Sequence, residues 1–160
     1  GTAIFQGDMV MQVTGGTVEI HADGGTVPIV GVFNGCKFTD PTTGEQVFSN
    51  SYPASTDAAD IIAFIIDDPM VIFEIQCNVA FPIADLLGNF DVIYTTAGNA
   101  KSGVAGSELN VSDGGTGTGL PLKVIDISED PENSDVGSAH TNVYCVIGNH
   151  IFGLKGVGLA

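Results

Sequence analysis

Ser107, His140, His150 and a large set of aspartates are the residue types from which a hydrolytic triad is assembled, so acyl transfer is the first chemistry to weigh. No serine sits in a G-x-S-x-G elbow. His140 therefore reads as a loop residue and His150 as a hydrogen-bond donor at a strand end. Gly114-Gly115-Thr116-Gly117-Thr118-Gly119 has the glycine content of a phosphate cradle, but a P-loop needs a lysine and a helix start directly after it. Leu120-Pro121-Leu122 follows instead, which makes the stretch a surface loop. Asp126, Glu129, Asp130, Glu132 and Asp135 offer hard oxygens of the kind calcium takes. Their spacing lacks the central glycine and terminal glutamate of an EF-hand; a solvated loop is the reading, with calcium left open. Cys36, Cys77 and Cys145 have no close partner for a zinc site. They read as buried free thiols of a protein folded in a reducing compartment. That compartment argues against use of the acceptor triplet Asn110-Val111-Ser112. The expectation is a protein with no catalytic residue, no metal and no cofactor.

Charge narrows the partners. Nineteen acidic residues face Lys37, Lys101, Lys123 and Lys155, with no arginine, for a net charge of −15. A polyanion is repelled by such a surface, which disfavours nucleic acid and anionic membranes. No run approaches the roughly 18 apolar residues of a membrane span, because Asp67, Asp68 and Glu74 interrupt the longest ones. Self-repulsion of this kind keeps an abundant protein soluble.

The elements that must carry these side chains are short. At 160 residues the chain fits one domain. Its 22 glycines and seven prolines punctuate β-branched runs. Met9–Val13 and Thr17–Ile20 flank Gly15-Gly16 as a hairpin, and Val27–Phe33 and Cys36–Thr39 flank Asn34-Gly35, a dipeptide suited to a type I′ turn. Asp40–Gly44 turns the chain so that Glu45–Ser49 returns antiparallel. Asn50–Thr56 reads as loop. Ile61–Ile66 and Met70–Ile75, separated by Asp67-Asp68-Pro69, read as the most apolar strand pair, buried on both faces. Pro82 before Ile83–Leu87 and Gly88 after it signal one short helix. Phe90–Tyr94, Leu120–Ile127 and Thr141–Ile147 are strands, and Thr95–Gly119 mostly loop. The class is all-β: a small antiparallel barrel or sandwich of about eight to ten short strands with extended termini. Residues 1–150 form one domain, with hairpins over 1–58 and the main sheet over 59–150, and 151–160 form a glycine-rich apolar tail. The chain opens at Gly1 as though entered part-way.

Read in order, Ile4-Phe5-Gln6-Gly7-Asp8-Met9-Val10, Ile29–Phe33, the Asp40–Phe48 hairpin, Asp68–Gln76, Asp85–Asn89, Ser102–Leu109, the strand near Leu122, Pro131-Glu132-Asn133 and Val143–His150 resemble a family of tailed-bacteriophage virion proteins, the capsid decoration or cement proteins. The resemblance spans nearly the whole chain. It implies a β-rich fold, many copies on the outside of the head, assembly in the host bacterial cytoplasm and no enzymatic activity. Members usually carry a segment ahead of the position matching Gly1. The acidity and the missing arginines depart from the family, so guanidinium contacts must come from the partner.

The expected function is therefore a cement protein that binds the major capsid protein lattice from outside and associates with itself, as a trimer in preference to a dimer. Gly1, Thr2, Ala3, Ile4 and Phe5, with Ile151, Phe152, Leu154, Val157 and Leu159, are the expected capsid or oligomer contacts, because they have no evident core partner in the sequence. The alternative is another virion component, a tail or fibre module binding carbohydrate through Tyr52, Tyr94 and Tyr144. A small hydrolase is the third and weakest reading.

Overall fold

The computed structural model describes residues 1–22, 24, 26–117, 119–133 and 137–153. Among them the chain forms β1 (Ile4–Phe5), β2 (Met9–Gln12), β3 (Val18–Ile20), β4 (Ile29–Thr39), β5 (Gln46–Ser49), β6 (Ser51–Tyr52), β7 (Ile62–Ile66), β8 (Phe73–Gln76), β9 (Asn89–Ile93), β10 (Glu108–Gly115), β11 (Leu122–Ile127) and β12 (Asn142–Ile147). The fold is all-β and antiparallel, a sandwich-like pairing of open sheets. One sheet runs β3-β2-β4-β5, with β7 on the opposite edge of β4; the second runs β10-β9-β11-β12-β8; β1 and β6 make a short ribbon. The second sheet curls until its edges touch at one bridge, Cys77 beside Leu109, where the Asn78 amide donates to the Leu109 carbonyl at 3.0 Å. That contact does not close a barrel.

Period-two burial explains the second sheet. Val143, Cys145 and Ile147 of β12 point inward and join Leu122, Val124, Phe90, Val92 and Leu109 in one core. Burying side chains of this size contributes about 1.5–3 kcal/mol each. Met9, Ile29 and Val32 of the first sheet complete this core, so it holds the two sheets together. A second core, Ile4, Val10, Phe33, Cys36 and Phe38, lies on the other face of the first sheet.

Several sequence expectations need correction. Asn34-Gly35 makes no hairpin: β4 runs straight through it, eleven residues long. Partner strands on both edges outweigh the local turn preference, and the dipeptide becomes a bulge between the pairs Phe33–Ile65 and Cys36–Ala63. Glycine is required there, since Gly35 has φ +120° and a Cβ would meet the Ser49 carbonyl oxygen at 2.9 Å. Ile61–Ile66 and Met70–Ile75 do not pair, because β7 joins β4 while β8 joins β12, with Asp67-Asp68-Pro69 carrying the chain between sheets. Neither is buried on both faces. The first sheet therefore extends past residue 58 to include β7, and the boundary between sheets falls between β7 and β8. Thr95–Gly119 holds β10, whose exposed polar residues hide the buried Leu109 and Asn110 from a composition reading. The expected helix is a single 3-10 turn, Ile83–Asp85, and a second, Pro131–Asn133, lies in the acidic loop.

Candidate interaction surface

The first sheet presents two unequal faces, and the register shows why. On one face Met9, Ile29 and Val32 lie under the second sheet. Farther along that face Lys37 stands between Phe48 of β5 and Ile62 of β7. This end is open: Phe48 is 69% exposed, Ile62 50%, Phe64 44% and Ile66 37%. Because β4 is longer than the second sheet can cover, its far half carries an uncovered apolar band. Lys37 Nζ lies 6.0 Å from the Phe48 ring centroid, placing a cation over the band. Asp60 sits at its rim, accepting from the Thr39 amide at 2.9 Å and the Thr39 hydroxyl at 2.7 Å, bonds that hold its carboxyl below the ordinary value.

The opposite face forms a groove of about 800 Å³ over the second core, walled by Val18, Ile20, Ile61, Ala63 and Ile65 and crossed by Gly1, Thr2 and Ile4. Tyr52 and Tyr94 also line it. Tyr52 is committed to folding, with its ring edge-on to Phe38 at 5.2 Å and its hydroxyl donating to the Thr56 carbonyl at 2.8 Å. Tyr144 is elsewhere, on β12, where the Ser128 hydroxyl lies 3.4 Å from its own. The three tyrosines thus form no common sugar platform.

The expected contact residues divide. Gly1 and Thr2 are exposed and Ala3 half-buried. Ile4 belongs to the second core, and Phe5 packs so closely on Gly98 that a Cβ there would overlap its ring. Ile4 therefore has core partners, contrary to expectation, and Phe5 is half-buried, because β1 pairs with β6 and pins the segment. Ile151 and Phe152 are 40% and 61% exposed, as a docking residue requires. Leu154, Val157 and Leu159 lie outside the described residues. Sequence reasoning missed Phe48, Ile62, Phe64 and Ile66 as surface residues. Strict alternation with Val47, Ala63 and Ile65 is the signal, visible only once an edge strand is assumed.

The polar residues weighed for chemistry are held in separate bonds. Ser107 Oγ donates to Asp8 at 2.7 Å, and Asp8 also accepts from the Phe5 amide at 2.8 Å. Burial raises the Asp8 carboxyl, and those two bonds oppose the rise. His140 Nδ1 lies 3.5 Å from Glu108 and 3.3 Å from the Cys77 carbonyl. Glu108 and Glu74 border a polar recess of about 420 Å³ that also includes Gln76 and Asn142. His150 is buried at the end of the second sheet rather than donating as expected: its Nδ1 accepts from the Phe152 amide at 3.0 Å. Burial holds its ring below the ordinary value of 6.5, against the nearby Asp67 and Asp68 carboxylates. All three cysteines are buried free thiols, with Cys77 and Cys145 pushed up to about 12 by burial. Among the described residues no group of three His, Cys, Asp or Glu is placed to hold a metal ion, and no helix is long and apolar enough to cross a membrane.

No family model, curated protein or solved structure matches this chain.

Proposed function

We propose that this chain is a bacteriophage capsid decoration protein that adheres to the outside of the major capsid protein lattice and stabilises the head. The open apolar band of Phe48, Ile62, Phe64 and Ile66, on an otherwise strongly acidic body, is the observation that carries this reading. Contiguous exposed apolar side chains on a soluble β-domain mark an adhesion surface. Stable docking needs roughly 800 Å² per partner, so the band, with the exposed Ile151 and Phe152, supplies the apolar part of such an interface and polar surface around it supplies the rest. The order of segments over nearly the whole chain supports the same reading. With no arginine of its own, the protein takes guanidinium groups from its partner, and the recess between Glu74 and Glu108 offers them carboxylates. Net negative charge suits the outer shell better than a lumen filled with DNA.

Packaged DNA pushes outward, and a subunit bridging neighbouring capsomers adds buried area where the shell would part. Heads prepared with and without the protein provide the test. Heads lacking it release DNA at lower temperature and lower salt, and purified particles carry many copies each. Equal DNA retention with and without the protein would overturn the cement role, and a handful of copies per particle would favour a tail component.

A further inference from the structure

His150 is a buried titratable ring that the adhesion reading leaves unused. It is only 1% exposed. The Phe152 amide donates to its Nδ1 at 3.0 Å, so Nδ1 is an acceptor and the neutral ring carries its proton on Nε2. That Nε2 is buried and, among the described residues, has no hydrogen-bond partner. A buried donor left without an acceptor is costly in a folded protein and asks for a reason.

The ring belongs to a short hook of chain laid against the start of β4. The Ile29 amide donates to the Asn149 carbonyl and the Ile151 amide to the Ile29 carbonyl, each at 2.8 Å, which sets His150 in parallel beside Ile29. The Asn149 side-chain amide donates to the Thr26 carbonyl at 3.0 Å. The Gly153 amide turns back to the His150 carbonyl at 3.0 Å, and the Phe152 ring lies 5.7 Å from the imidazole. Ile151 and Phe152 themselves face outward. The hold of the hook on the domain therefore rests on His150, Asn149 and the two bonds to Ile29.

Protonation of the ring undoes this arrangement. A proton from solvent on Nδ1 turns the acceptor into a donor and sets it against the Phe152 N–H, so that bond is lost. The imidazolium also carries a charge in a buried site that offers Nε2 no acceptor. The carboxylates of Asp67 and Asp68, exposed between β7 and β8, favour the charged ring from a distance, and among the described residues neither forms an ion pair with it. Thr26, Ile29 and Pro121, which bond to the hook, are uncharged. Lys123 borders the chain at Gly148 and is exposed. Opposite charge thus lies outside the site, on the side of Asp67 and Asp68.

We propose that residues 149–153 form an acid-released hook, in which proton uptake at Nδ1 of His150 breaks the bond from the Phe152 amide, drives the ring out towards Asp67 and Asp68, and frees the amide and carbonyl of Ile29. The proton is the only species taken up, and only hydrogen bonds change. The release is a property of the free chain and stands apart from the capsid reading.

Solution NMR on the full chain between about pH 7.5 and pH 5 tests it. At the upper end the ring nitrogens should show the neutral form protonated on Nε2. As His150 titrates, the protection factors of the Ile29, Ile151 and Phe152 amides, corrected for intrinsic exchange, should fall at least about tenfold while those of β9 and β12 hold. His150→Gln keeps an acceptor for the Phe152 amide without a titrating group, so protection at these amides should no longer follow pH. Asp67→Asn with Asp68→Asn leaves the bonds of the hook intact and should move the midpoint of the loss to lower pH. Protection that stays constant as His150 titrates overturns the proposal, as does protection lost only together with β9 and β12, a loss that persists in His150→Gln, or a midpoint unmoved in the double Asn variant.

Discussion

Phe48→Ser is the sharpest single change, because it separates adhesion from folding. The ring is 69% exposed and belongs to neither core. A phenylalanine buries about 150–250 Å² when fully covered, so a partner could cover roughly 100–170 Å² here. At about 25 cal/mol per Å² that burial contributes roughly 2.5–4 kcal/mol to binding, an upper bound because ordering the interface costs part of it. With a tenfold change per 1.4 kcal/mol, the variant should bind heads at least about tenfold more weakly. Stability should hardly move, since in the free protein the ring supports only the distant Lys37 cation, worth about 0.5 kcal/mol, and some strand preference. Co-sedimentation with heads stripped of the protein measures the first quantity, and thermal unfolding of the free chain the second. Unchanged head binding with an unchanged melting curve would refute the assignment of the band as the docking face.

Three further outcomes follow from other parts of the molecule. Gly31→Ala places a methyl group against the Ile66 carbonyl and the Ile65 side chain, so it should cost about 2–4 kcal/mol in urea unfolding through overpacking and a strained β7 pairing. Gly117→Ala, with nothing within 4 Å, should stay within about 0.5 kcal/mol; equal effects would contradict the close approach of β7 to β4. Cys77 and Cys145, at about 12, have roughly one thiolate in ten thousand at pH 8, so iodoacetamide should label them only after denaturant is added, as mass spectrometry would show. His150 is held below its ordinary value of 6.5, so just below pH 6.5 the unfolded chain binds more protons than the folded one. Its contribution is fully present above that pH and is lost as pH falls towards the folded value. His150→Phe should flatten the fall in melting temperature over that interval, and identical slopes would show that this ring is not responsible.

Local pattern made most of the strands legible. The alternation in Val143-Tyr144-Cys145-Val146-Ile147 marks both the strand and its buried face, as the burial confirms. Pro82 and Gly88 bracket a helical turn correctly and overstate only its length. What failed was long-range. Asn34-Gly35 has the chemistry of a tight turn, and only strands distant in sequence on both flanks of β4 make it a bulge. Ile61–Ile66 is as apolar as a doubly covered strand, yet it lies on an edge, and composition does not distinguish an inner strand from an edge strand. That same ambiguity hid the apolar band. The N-terminal segment looks unpartnered in the sequence, yet pairing of β1 with the distant β6 places Ile4 in the second core and Phe5 against Gly98.

Open apolar strands ordinarily threaten aggregation, and the charge distribution of this chain opposes it. A net charge of −15 repels every other copy at long range. Closer in, Asp60, Asp67 and Asp68 bracket β7, so two copies approaching edge to edge bring carboxylates together before their apolar side chains meet. The only cation over the band is Lys37, among the described residues. A partner that supplies basic groups around an apolar centre meets no such barrier. On the adhesion reading, charge selects the partner and apolar area sets how tightly it is held. Raising salt should separate the two: screening weakens the carboxylate repulsion between copies, so free protein should self-associate more at about 1 M salt than at about 0.1 M, by light scattering. Asp67→Asn with Asp68→Asn should bring that onset to lower salt, and no shift would remove these carboxylates from the barrier.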